Sequence, residues 1–331
     1  MVHFYLIRDG ILREDRELRF SGSPRLVMDA DADIKTSFSG AFEPQEDVNF
    51  LQDRIFCRVK GEDCGEFLVT ACRSIYDGSS ELWQIEACDQ GWLPARQRQE
   101  TRLSALAGQD YMELIQSLLT SCGIYRIQAD QCMESLQYDR QWEPGVSTLA
   151  IINELLEEIG FEPLWFDPSG YARLSAYQAP SGEAVTKIYR SGDALLEADF
   201  VSSWDIYNAK NVFMAVADSP ERDVSWTATA VNDDVNSPIS TVNLGRIMAP
   251  LLVMENVPSQ AALQTIVDRL RDDSLLSAQE LTFHTALQVH SVGEMVALEH
   301  PQAEGIFRES GWIMELGEGT MTHTGRRYCY L

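Results

Sequence analysis

Positive charge is scarce in this chain of 331 residues: Lys and Arg number 26 against 51 Asp and Glu, a formal net charge of −25. The deficit is spread along the whole length, with net −7 over residues 1–100, −6 over 101–190 and −12 over 191–331. A surface that grips DNA, RNA or anionic lipid needs clustered Lys and Arg, so these partner classes are disfavoured. An acidic wall past which a polyanion slides without adhering remains consistent. Long apolar runs are also missing. Nothing approaches the ~18–20 residues that span a bilayer, and the charged stretch Met1–Arg19 contains no signal-peptide core. The seven cysteines are odd in number and irregularly spaced, which reads as reduced thiols of a protein folded in cytoplasm.

The patterns that carry catalysis are absent as well. There is no phosphate loop, no HExxH, no GxSxG and no dinucleotide glycine run. Asp29, Asp31 and Asp33 open like a calcium loop, but Ile34 and Gly40 stand where that loop needs its glycine and its bidentate acid. On a single strand His284 and His290 would lie ~20 Å apart, too far to share an ion. His300 and His323 have no evident partners in sequence, and Cys57, Cys64 and Cys72 are not spaced as zinc ligands. The acid pairs Glu157-Glu158 and Asp233-Asp234 read as solvated faces in so acidic a chain. The seven tryptophans are scattered, which favours packing over a sugar-binding groove. No catalytic, cofactor-binding or metal residue is nominated. The residues describe a binding or structural protein rather than an enzyme.

What is present is a change of period along the chain. Short runs rich in β-branched and aromatic residues (His3–Ile7, Asp33–Ser39, Arg54–Val59, Glu66–Arg73, Ser80–Ala87), punctuated by Asp9-Gly10, Ser21-Gly22, Gly61 and Asp77-Gly78, predict a β-barrel or sandwich over 1–98. After Pro94 the spacing becomes helical. Asp110 caps a predicted helix with Tyr111, Met112, Ile115, Leu118, Leu119 and Cys122 on one side, stopped at Gly123. Ser147 caps a second, carrying Leu149, Ile152, Leu155, Leu156 and Ile159 and ended by Gly160. A hairpin over Phe161–Phe166 and Tyr171–Ala176 completes an α/β unit over 99–180, with Ala179-Pro180-Ser181-Gly182 as its exit. Residues 181–331 return to strands: Trp204–Val216, Asp223–Val231 beyond the polar Asp218-Ser219-Pro220, then Leu281–Val289, Gly293–Leu298, Gly305–Leu316 and Tyr328–Leu331. One helix over about 259–273 interrupts them. The fold class is mainly β with an α/β insertion.

Five stretches, in order, resemble a known family. They are Ile34–Gly40 through Asp47-Val48-Asn49 to Asp53-Arg54-Ile55; Gly65–Val69; Ile85–Asp89; Ser237–Ser240 through Gly245 to the Ser259–Leu270 helix; and Val292–Leu298, with Glu294 where Asp is common. Together the chain is similar to the tail hub proteins of tailed bacteriophages and phage tail-like particles, related to the contractile-phage baseplate hub. The resemblance implies two β-barrel domains flanking a small α/β domain, in a protomer of a trimeric ring. Such a ring adapts a sixfold tail tube to a threefold tip or spike and lines the axial channel. It implies as partners two further copies of the chain, the tail tube or distal tail protein, the spike or tip protein and the tape-measure protein. DNA passes the lumen without specific binding, and no membrane insertion, cofactor or metal is implied. The place implied is the virion tail tip or baseplate, assembled in the bacterial host cytoplasm. With the sequence ending at Leu331, the expectation is a pure assembly protein without an appended hydrolase. A carbohydrate-binding tip or adhesin module is the alternative, and a cell-wall hydrolase the next.

Overall fold

The computed structural model describes residues 1–76, 78–192, 196–205, 209–217, 225–254 and 257–328, which leaves Asp77, Asp218-Ser219-Pro220, the start of the 223–231 strand, Cys329 and most of the 328–331 strand outside the described residues. Seven strands come first: β1 (Val2–Arg8), β2 (Ile11–Glu17), β3 (Phe20–Asp29), β4 (Thr36–Phe42), β5 (Arg54–Val59), β6 (Glu62–Tyr76) and β7 (Glu81–Cys88). A mixed segment follows with α1 (Trp92–Arg96), β8 (Leu103–Ala105), α2 (Tyr111–Ser121), β9 (Ile127–Ala129), β10 (Arg140–Trp142), α3 (Thr148–Glu158), β11 (Trp165–Phe166) and β12 (Ala172–Leu174). The remainder holds β13 (Val185–Arg190), β14 (Leu196–Trp204), β15 (Val212–Ala217), β16 (Trp226–Val231), α4 (Thr241–Leu244), β17 (Leu251–Met254), α5 (Gln260–Ser274), β18 (Leu276–Ala286), β19 (Met295–Glu299), β20 (Gly305–Glu315) and β21 (Thr320–Tyr328).

The chain is mainly β, as expected, but the pairing departs from two separate closed barrels. Strands from both ends join one hydrogen-bonded path, β14-β18-β21-β20-β3-β4-β7-β6-β5-β1-β2, with β19 branching from β20 and β13 from β19. That path is open at β14 and β2 among the described residues. The reason lies in β20. One of its edges pairs with β21, while the other serves β19 through Gly305–Arg308 and then β3 through Gly311–Glu315. The hand-over falls at the irregularity between Glu309 and Gly311. A side chain at Gly311 would meet the Met28 carbonyl oxygen at 3.1 Å, so the close approach of β3 favours glycine there.

Several strands depart from the sequence reading. The Trp204–Val216 strand is not continuous, since Trp204 ends β14 and β15 begins at Val212. Strands β2, β3, β13, β17 and β21 are among those the residue pattern does not mark. β2 carries Arg-Glu-Asp-Arg-Glu on an exposed sheet edge, where no alternation is needed. β3 contains the Ser21-Gly22 expected as a turn. Its register slips between Ser21 and Arg25, with Gly22 at φ +75°, so the glycine and Pro24 sit in a bulge instead. The Asp33–Ser39 strand begins only at Thr36, because Ala30–Lys35 form the turn out of β3.

Four cores result. One gathers Phe4, Phe38, Phe42 and Phe67 with Trp312, Met314 and Met321 from the far end of the chain. The Phe4 ring centroid lies 5.2 Å from those of both Phe38 and Phe42. A second joins the apolar stripes of α2 and α3. Their caps are those expected: the Asp110 side chain accepts from the Glu113 N–H and Ser147 from Ala150 N–H. A third packs α5 on the sheet β16-β15-β17, and the fourth centres on Tyr189, Phe283 and Phe307.

Candidate functional site

Three features beyond the cores give this molecule its chemistry: the fastenings of the α/β segment to β6 and α5, a buried His–Glu–His cluster, and free strand edges. The first starts where β7 leaves the sheet. Asp89 is 3% exposed, and its carboxylate accepts from Thr36 N and Oγ1, both at 2.8 Å, and from Gly91 N at 2.8 Å. Burial raises its pKa, and those donors work the other way. Nearby Glu66 of β6, buried, accepts from Arg54 Nη1 at 2.5 Å and from Arg126 of the α/β segment. Arg126 also donates to Ser169 O, and Gln90 to Gly170 O. Gly170 has φ +77°, and a Cβ there would lie 2.7 Å from Arg126 Nη2 and 2.8 Å from Glu66 Oε2. The opposite side of the α/β segment is held by α5. Arg269 donates to Phe161 O at 2.7 Å and to Glu162 Oε2 at 2.8 Å, and Tyr177 Oη donates to Asp273 at 3.0 Å.

The second feature lies where β20 changes partner. His290, Glu309 and His323 have side chains wholly removed from solvent. His290 Nδ1 meets Glu309 Oε2 at 2.6 Å, and His323 Nδ1 meets Oε1 at 2.5 Å. With each Nδ1 donating, each Nε2 accepts from a hydroxyl: Tyr189 Oη on His290 and Thr285 Oγ1 on His323, both at 2.8 Å. Phe283 stacks on His323 with ring centroids 4.5 Å apart. Burial works to raise the Glu309 pKa, but the hydrogen bonds and charge of the two histidines outweigh it and hold the carboxyl below its ordinary value. Burial lowers the His323 pKa against the pull of Glu309.

The sequence placed His284 and His290 on one strand and left His323 alone. Strand β18 instead ends at Ala286, so His290 falls in the following loop and turns inward. The signal that finds the cluster is register. Glu309 alternates with buried Phe307, and His323 with buried Met321, so both polar residues occupy inward positions of their strands.

The other sequence candidates stay apart. Asp29 makes an Asx turn to Asp31 N, and Lys35 from the same turn donates to Ala30 O. His284 faces Asp199 at 3.4 Å, and His300 packs on Phe200. Glu158 corrects the solvated-face expectation: it is buried, takes Arg140 Nη1 at 2.6 and 2.9 Å, and accepts from Tyr111 Oη at 2.9 Å. Burial pushes its pKa up to about 7 despite those partners. Asp234 turns back to its own Asn236 N–H. The six described cysteines are free. No helix among the described residues is long and apolar enough to cross a membrane.

The third feature is the free edges. β14 pairs only with β18 among the described residues, and it exposes Val201 at 64% and Trp204 at 51%. β17, at the margin of the small sheet, exposes Leu251 and Val253. The other end of the large sheet, β2, is armoured with charge.

This architecture is the fold of solved bacteriophage tail proteins. A tail protein from Neisseria meningitidis MC58 superposes with a TM-score of 0.71 at 13% identity, over 98% of this chain and 96% of that one. The 43 kDa tail protein of prophage MuSo2 from Shewanella oneidensis gives 0.66 at 12% identity over 98% of both chains. The c3393 protein of E. coli, a type VI secretion component with structural similarity to T4 tail proteins gp27 and gp5, gives 0.59 at 10% identity over 98% of this chain and 76% of that one. No protein-family model matches the sequence, and neither does any curated protein.

Proposed function

We propose that the chain is a structural tail hub protein of a phage tail or phage tail-like particle, without enzymatic activity. The observation that carries this reading is the correspondence of fold with the Neisseria tail protein over nearly the whole of both chains. On this reading residues 1–98 and 181–331 are the two hub lobes and 99–180 the inserted domain. Three copies form a ring at the tail tip or baseplate, between the sixfold tube and the threefold tip. The hydrophobic edge of β14 and that of β17 supply contacts between copies, since unpaired strand edges seek partners. The charge of −25 suits an axial wall past which DNA or tape-measure protein moves without sticking. The neighbouring tail and spike components are the other partners.

Light scattering over a concentration series tests it. A mass near three times 37.3 kDa is expected. A monomer at every concentration that also fails to enter assembled tails overturns the reading.

A further inference from the structure

We propose that His290, Glu309 and His323, with Glu294 as a fourth donor, bind one divalent transition-metal ion, zinc being the best fit. The ligand atoms of the first three lie within 4.8 Å of one another, and all three residues are buried. They come from the loop after β18, from β20 and from β21, so an ion there ties three segments at the point where β20 passes from β19 to β3. Two imidazoles and a carboxylate suit zinc, whose structural sites are four-coordinate. The fourth donor is at hand: Glu294 Oε2 lies 3.4 Å from His290 Nδ1, and the Glu309 N–H donates to Glu294 O at 2.9 Å. The Glu294 side chain is 20% exposed, which gives the ion a way in from solvent.

The outer partners are those of a metal site. Each imidazole has its second nitrogen on a hydroxyl, which fixes the ring and accepts a hydrogen bond from Nε2–H once Nδ1 is coordinated. Thr285 can turn its own hydrogen toward Ala286 O, 3.0 Å away, and so free its lone pairs for His323. In each neutral imidazole the proton passes, by way of solvent, from Nδ1 to Nε2 as the ion enters, so the tautomer changes and no net proton is released. The donors then part from 2.5–2.6 Å toward the ~3.3 Å edge of a tetrahedron with ~2.0 Å bonds. Charge favours the exchange. Two carboxylates, Glu309 and Glu294, meet at His290 Nδ1, and Lys187 of β13, whose ammonium is engaged by Val289 O, offsets only part of their charge.

The test uses the full chain, stripped with EDTA and titrated calorimetrically with zinc chloride alone, then loaded with cobalt(II) for its visible spectrum. The expected result is about one ion per chain, the intense absorption of tetrahedral cobalt and a raised melting temperature. His323→Gln abolishes binding. Glu294→Gln, at the partly exposed rim, keeps the Thr186 contact to the side-chain oxygen and weakens binding at least tenfold. Glu197, Asp199 and His284 form an exposed second cluster on β14 and β18, so Asp199→Asn is the control and leaves binding unchanged. No ion retained by the wild-type protein overturns the proposal. So does binding that Asp199→Asn removes and Glu294→Gln leaves intact.

Discussion

Glu66 and Arg126, sixty positions apart in sequence, share a carboxylate–guanidinium contact that joins strand β6 to the turn between α2 and β9. The carboxylate is 2% exposed and takes a second guanidinium from Arg54, while both arginines remain partly open to water. Removing the carboxylate strands no fully buried charge, so the loss is smaller than the ~3–5 kcal/mol of a fully buried pair. Glu66→Ala is expected to destabilise by about 2 kcal/mol and to speed proteolysis between residues 90 and 126. Chemical denaturation and timed tryptic digestion check both.

Gly170→Ala acts on the same fastening without touching its charges. Its backbone is left-handed, and an added methyl meets Arg126, Glu66 and Gln90 at 3.0 Å or less. A loss of about 1–3 kcal/mol is expected by thermal unfolding. Gly108, also at positive φ but with open space around it, provides the comparison and loses less on the same change.

Acid weakens the fold through Asp53. Arg8 holds its carboxylate with two hydrogen bonds of 2.7 and 2.6 Å, and Asn49 N–H adds a third at 2.8 Å. The Arg8 hydrogen bonds lower its pKa in the folded state. Its stabilisation is present above the unfolded value of ~3.9 and is lost as pH falls through the folded one. Asp53→Asn is therefore expected to be less stable at pH 6 and to show a shallower loss toward pH 2, read by melting temperature.

Glu158 has the opposite sign. Its pKa rises to about 7 in the folded chain, so the folded state holds its proton more tightly than the unfolded one. The contribution is present below the unfolded value of ~4.3 and lost as pH climbs through about 7. The melting temperature is expected to fall between pH 5 and pH 8 in the parent and to fall less in Glu158→Gln.

The proposed ring makes one further demand. Val201→Lys places a charge on the free edge of β14, where strands pair only if the edge is clean. The variant is expected to fold with an unchanged circular dichroism spectrum and to lose trimer in light scattering. An undiminished trimer removes β14 from the contact surface.

The helices of the inserted segment were readable because their determinants are local. Asp110 and Ser147 cap within three residues of themselves, and each stripe repeats within four. Strand β5 lies at Arg54–Val59, as its β-branched and aromatic residues predict, and it pairs with β6 across the tight turn at Lys60-Gly61. The sharing of β20 was not readable. Its partner Met28 lies some 284 residues before Trp312, and a β-strand carries no mark of which distant edge it will meet. The His–Glu–His cluster was hidden for the same reason. His290 is 19 positions from Glu309, and His323 a further 14, so spacing alone offers no ligand motif.

The strand that serves both halves also sets a timetable. Phe4 and Phe38 pack in a core whose remaining wall, Trp312, Met314 and Met321, is made about 270 residues later. At ~5–20 residues per second of synthesis, the early strands wait roughly 15–60 s on the ribosome with their aromatic faces uncovered. The amino-terminal half therefore cannot finish folding as it emerges. Its core is completed when β20 and β21 arrive to close it.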